Sequence, residues 1–161
     1  MTSILEQPCY VDEVQTEVQR LLTEGFGRDL HVAQYGEDLA TEEAIESFLA
    51  AVDVKPNALV NVGPIDTVET DDDGLVTDDR VSVEVIVAAS DWRDLAAQKN
   101  LAWRAAFAVR RRLQGQFVGT SYTSQGVLMH QSTVPDFTVE GLTVFSVTFT
   151  LDLSFDVTID E

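Results

Sequence analysis

The chain has 161 residues, a hydrophobic content of 45% and a formal net charge of −18. Length and apolar content suit one domain with a real core and exclude global disorder. The charge repels nucleic acid, no apolar run reaches membrane-spanning length, and the first residues lack a basic-then-apolar leader, so nothing directs the chain out of the cytosol. Cys9 is the sole cysteine. It excludes an intrachain disulfide and reads as a half-buried residue without chemistry.

The charge is unevenly placed. Residues 1–79 hold nineteen acids and three bases; residues 80–161 hold nine acids and seven bases. Six of those bases, Arg93, Lys99, Arg104, Arg110, Arg111 and Arg112, fall in one expected helix. An acidic, salt-adapted proteome is one source of this composition. Electrical self-complementarity is the sharper reading: the acidic part of one subunit faces the Arg-rich helix of the next.

In chain order, Val11, Val14, Val18, Leu21 and Leu22 recur at three- and four-residue spacings and predict a helix over 10–26, closed by Gly25 or Gly27. Leu30–Tyr35 reads as a short strand. Thr41 caps a second expected helix that presents Ala44, Ile45, Phe48, Leu49 and Val52 and stops before Pro56. Ala58–Glu69 reads as a strand with a bulge or edge position at Gly63-Pro64. Asp71-Asp72-Asp73-Gly74 makes a turn, and Arg80–Ala89 returns as a strand with Val81, Val83, Val85 and Val87 on one face.

Ser90-Asp91 caps a long helix over Trp92–Gln114, ended by Gly115. Its stripe is Leu95, Ala102, Ala106, Val109 and Leu113. Residues 116–124 read as polar loop, Gln125–Thr133 as a strand and Pro135–Gly141 as a connection. Residues 145–160 then alternate without error. Phe145, Val147, Phe149, Leu151, Leu153, Phe155, Val157 and Ile159 point one way, and polar residues point the other. Sixteen residues of strand span roughly 53 Å, against a diameter of roughly 40 Å for a compact chain of this size. Either the strand bends sharply at a bulge, or its end finds a surface on another chain. The expected fold is α+β: a mainly antiparallel sheet with helices packed on one face, a long central helix over about 91–114 and a long C-terminal strand over about 143–160.

Motifs for chemistry are few. Glu69, Asp71, Asp73 and Gly74 imitate the first half of a calcium loop, but Arg80 stands where the bidentate Glu belongs, so a solvated turn is expected. His31 and His130 each stand alone, without Cys or His at ligand spacing. There is no nucleophile elbow, P-loop or dinucleotide fingerprint. No catalytic residue, metal ligand or cofactor is therefore expected. Three consecutive arginines on a helix point in three directions, so Arg110-Arg111-Arg112 cannot form one flat phosphate patch. Near a helix C-terminus they meet the negative end of the dipole, or they join an intersubunit ion-pair network. Trp92, Trp103 and Phe107 read as core or interface packing.

One family resemblance follows from the order of these segments. A hairpin feeds Asp91-Trp92-Arg93-Asp94-Leu95; a long Ala/Arg helix ends Arg110-Arg111-Arg112-Leu113-Gln114-Gly115; then come Tyr122-Thr123-Ser124-Gln125-Gly126 and Glu140-Gly141-Leu142-Thr143-Val144-Phe145-Ser146-Val147. This resembles the Mu-like phage tail proteins and, more broadly, the tail terminators and neck proteins of long-tailed phages. The resemblance implies a single structural domain over 1–161 that closes into a six-membered ring. That ring caps the tail tube at the neck, meets head-completion proteins and, in a contractile tail, the last sheath ring. It implies assembly in the host cytoplasm and residence in the virion at the tail–neck junction, without cofactor, turnover or membrane. On this view Arg104, Arg110, Arg111, Arg112, Phe155, Val157 and Ile159 serve subunit or partner contacts. Asp71, Asp72 and Asp73 line a lumen or axial surface past which DNA slides. Another head–tail connector or tail-completion protein of the same fold is the alternative, and a small enzyme or ligand-binding domain the weaker one.

Overall fold

The alternating valines of residues 81–87 and the alternating apolar residues of 145–153 meet as neighbouring strands in a computed structural model of the chain. The structure describes residues 9–34, 41, 43, 47, 56–90, 95–121, 123–139 and 142–156. The elements are α1 (Tyr10–Phe26), β1 (His31–Gln34), β2 (Asn57–Thr70), β3 (Val76–Ala89), α2 (Leu95–Leu113), β4 (Phe117–Thr120), β5 (Thr123–Val127), β6 (Met129–Val139) and β7 (Leu142–Asp156). The fold is α+β, with one curled, mostly antiparallel sheet and two helices among the described residues.

Strand order is β1-β2-β3-β7-β5-β4, and β6 also pairs with β7. Only β1 runs parallel to its neighbour, β2. A parallel pair needs a crossover of a dozen or more residues, and residues 35–56 supply it. The second helix expected there, from Thr41 to Val52, lies almost wholly outside the described residues.

Period-two patterning turns the main cluster to one face of the sheet, while at one end of β2, β3 and β7 the opposite face is buried as well, at Leu59, Ala88 and Val144. Val81, Val83, Val85 and Val87 stand opposite Leu151, Phe149, Val147 and Phe145, and all eight are buried. Val14, Val18, Leu21 and Leu22 of α1 and Ala102, Ala106, Val109 and Leu113 of α2 pack into the same cluster. The small residues of α2 let its axis lie close to the sheet. Gly27, at φ 55°, closes α1 with its N–H on the Thr23 carbonyl at 2.8 Å. An L side chain resists that backbone conformation, so glycine is the residue that ends the helix there.

Four sequence expectations are corrected. Residues 116–124 are not loop: Phe117–Thr120 and Thr123–Val127 form a hairpin, with Thr120 opposite Thr123. Phe, Val and Thr favour strands, and the Thr120 and Thr123 hydroxyls, 3.0 Å apart, brace a turn that lacks the usual glycine. The strand expected over Gln125–Thr133 is two strands separated at Leu128, a residue buried in the core. Residues 135–139 continue β6 instead of leaving the sheet; Pro135 is tolerated because a register shift follows it and β6 is paired on one side only among the described residues. Cys9 is exposed, not half-buried, because it precedes the first turn of α1.

Over its described residues the C-terminal strand is not bent by a bulge. From Thr143 to Asp156 it pairs with β3 without a register shift, and β6 and β5 occupy its other side. β2 and β3, at 14 residues each, are about as long as β7. The described strand is thus interior to its own sheet. Residues 157–160 lie outside the described residues.

The β4–β5 hairpin lies close against β7. A Cβ placed on Gly126 would run into the Asp152 carbonyl oxygen. Backbone cannot yield as a flexible side chain does, so Gly126→Ala should lower stability by about 1–3 kcal/mol. Urea unfolding of the purified variant measures this, and an unchanged midpoint contradicts the close packing.

Candidate functional site

The burial of one α2 stripe dictates what the opposite side shows. With Ala102, Ala106, Val109 and Leu113 turned inward, Lys99, Trp103, Phe107 and Arg111 stand at successive four-residue steps on the outer face, all exposed. Trp103 is 49% exposed and Phe107 58%. Trp103 still reaches back to the Phe145 ring, with centroids 4.3 Å apart, so its orientation is fixed by the core. Trp103, Arg104, Phe107, Ala108 and Arg111 line an open depression of about 390 Å³. α2 carries five bases and no acid. Among the described residues no carboxylate pairs with Lys99, Arg104 or Arg111. The surface is cationic and aromatic in a chain of net charge −18.

The three consecutive arginines separate as helix geometry requires. Arg111 joins the outer face. Arg110 is half-buried and donates from Nε to Gln114 Oε1 at 3.0 Å. Arg112 turns toward α1, where its Nε donates to the Leu21 carbonyl at 2.7 Å. Its side chain fills the space that a Cβ on Gly25 would need. Arg112 therefore ties the two helices within one chain. Phe155 packs on Tyr10 with ring centroids 5.5 Å apart. Val157 and Ile159 lie outside the described residues. Of the expected contact residues that are described, Arg104 and Arg111 share a surface. Lys99, Trp103 and Phe107 complete it, and their four-residue spacing was the readable signal.

The acidic residues gather at the far end of the β2–β3 hairpin. Asp71 shapes the turn: its Oδ1 accepts from the backbone N–H groups of Leu75 and Val76 at 2.9 and 3.2 Å. Gly74, at φ 71°, completes it. That is turn chemistry rather than ion coordination. Asp72 and Asp73 are exposed, as are Glu69 and two apolar residues, Val68 and Leu75. Among the described residues no group of three or more His, Cys, Asp or Glu side chains could hold a metal ion.

Two further polar groupings brace the strands. Arg80 grips Asp152 through Nε and a terminal nitrogen at 2.9 and 3.2 Å, and this holds the Asp152 carboxyl below its ordinary range. Both side chains are about half exposed, so solvent screens the pair. Asp79 is buried on the core side and accepts from the Tyr10 hydroxyl at 3.0 Å and the Thr67 hydroxyl at 3.1 Å. Burial and this bond push the Tyr10 phenol up. Neither grouping pairs a nucleophile with a base.

The two charged surfaces stand far apart. Trp103 touches Phe145, which is opposite Val87, whereas the acidic turn begins next to Val76. Eleven residues of strand separate those positions, roughly 36 Å, whereas the C-terminal end of α2 lies nearer, because Arg110 neighbours His130, whose partner Phe149 is opposite Val83.

His130 reports on the basic end of α2. Burial and the nearby Arg110 charge hold its imidazole below the ordinary value. Its ring lies edge-on to Phe149 and within 2.8 Å of the Thr133 hydroxyl. The unfolded chain protonates first on acidification, so His130 contributes stability that is present above about pH 6.5 and lost as pH falls through the lowered folded value. Thermal unfolding between pH 5 and 8 should show this segment flattened in His130→Gln; an unaltered slope removes the assignment. The chain matches no protein-family model and no curated protein sequence.

Proposed function

We propose that this chain is a structural, non-enzymatic subunit of a long-tailed phage virion, a tail terminator that closes into a ring on the tail tube at the neck. In this reading the long helix extends over about 91–114 and the final strand over about 143–160, and head-completion proteins and the last sheath ring are the further partners. The observation that carries the assembly part is the separation of charge: a cationic, aromatic helix face alongside the sheet and an acidic turn beyond one end of the long strands. Two unlike surfaces of one subunit favour head-to-tail association, which gives a ring when the rotation closes. The assignment to a tail rests on the resemblance in element order.

The sheet edges narrow how such subunits meet. Beyond Val60 the outer side of β2 is unpaired among the described residues, and it carries Pro64, Asp66 and two register shifts. β6 at the other edge carries Pro135 and two register shifts. Prolines, bulges and charges are the devices that stop edge strands from adding to another sheet. With β7 paired on both sides, side chains rather than backbone ladders are the natural means of contact.

Purified chain added to polymerising tail tube protein should stop tube growth. Electron microscopy should show a single ring at one tube end, and labelled chain in whole virions should sit at the neck. Label at a portal-proximal ring would move the assignment to a connector. A chain that neither binds tube ends nor labels the virion would refute the reading.

A further inference from the structure

We infer that the outer face of α2 receives the β2–β3 turn of a second copy of this chain. The inference rests on the ring reading and names its contact. One side is Lys99, Trp103, Arg104, Phe107 and Arg111. The other is Val68, Glu69, Asp72, Asp73 and Leu75.

Complementarity is both electrical and apolar. Three bases without a carboxylate partner among the described residues meet three exposed acids. Two exposed aromatic rings meet two exposed aliphatic side chains, Val68 at 61% and Leu75 at 43%. Scattered single apolar residues on a surface carry no information. Here the aromatic pair lies between Arg104 and Arg111, and Val68 and Leu75 flank the acids of the hairpin end, which combines an apolar centre with charge as interfaces do. Trp103 is pre-oriented by Phe145, which lowers the ordering cost of an aromatic anchor. The turn is also pre-shaped, because the Asp71 carboxylate holds its backbone. That leaves Asp72 and Asp73 as the side chains directed to a partner.

Distance excludes the intrachain version of this contact. Trp103, at Phe145, is roughly 36 Å of strand from the turn, and even the Arg111 end of the face, near the pair Phe149 and Val83, is seven strand residues from it, roughly 23 Å. A turn that cannot reach its own helix can reach the next subunit's, and each copy then offers one donor and one acceptor surface. The competing placement of the turn, facing a lumen or axial channel, leaves it free of the neighbouring subunit.

A charge-exchange experiment decides between them. One variant carries Arg104→Glu and Arg111→Glu; the other carries Glu69→Lys, Asp72→Lys and Asp73→Lys. Asp71 is left intact so that the turn still forms. Sedimentation velocity at low salt should show assembly of the unaltered chain, weakening as salt screens the contact. Each variant alone should be shifted to monomer, with the concentration needed for assembly raised about 10- to 100-fold. Mixed together, the two variants should assemble again, and native mass spectrometry should find equal numbers of each. That recovery also proves both variants folded. If the turn variant alone assembles like the unaltered chain, the contact is wrong while the ring survives, and the turn faces elsewhere. If the mixture stays monomeric, the turn is not the occupant. An unaltered chain that is monomeric at every concentration overturns the contact too; tube capping then judges the tail reading separately.

Discussion

The β3–β7 ladder holds fourteen consecutive pairs without a register shift. A slip of one residue would carry Val81, Val83, Val85 and Val87 to the opposite face and strip the core from both helices. Register is therefore fixed by burial, and the remaining elements take their places from it. β2 adds along one side of the pair, and β6 and β5 along the other. The helices cover the apolar face because that is where their own stripes find partners.

This constraint also explains where the surface features fall. Once the alanine and valine stripe of α2 is pressed onto the sheet, the four-step row from Lys99 to Arg111 has nowhere to go but outward. Once β3 and β7 are aligned over their full length, the turn joining β2 to β3 must project from the end opposite Phe145. The distance between basic face and acidic turn thus follows from register, not from any direct interaction between them. The edges follow a similar logic: Pro64 and Pro135 sit in the strands that, among the described residues, have a side free of ladder bonds, where a missing donor costs least.

Within the chain, polar side chains serve mainly as braces. Arg112 links α2 to the Leu21 carbonyl, and Glu13 accepts from the Ser121 backbone at 3.2 Å, joining α1 to the β4–β5 turn. Gln98 donates to the Thr143 hydroxyl at 2.7 Å beneath α2. These bonds orient the helices on the sheet. Arg112 and Phe155 thus have partners within the chain, whereas Arg104 and Arg111 stand on the outer face of α2.

What the residues determined by themselves was local. Three- and four-step spacing gave α1, period-two alternation gave β3 and β7, and Gly63-Pro64 and Asp71–Gly74 marked the bulge and the turn, because each signal depends only on near neighbours. The short strands of 117–127 and the course of β6 past Pro135 were illegible. Their support comes from β7, from the close approach at Gly126 and from the buried Leu128, all distant in sequence or decided by it. Charge asymmetry was visible in the order of acids and bases, and it suggested that copies attract one another. Which arginines face outward, that Trp103 and Phe107 stand among them, and that the acids lie beyond the end of the strands remote from Trp103 were decided by tertiary structure. Packing chooses which side of a helix is buried, and only the assembled sheet sets the distance between its ends.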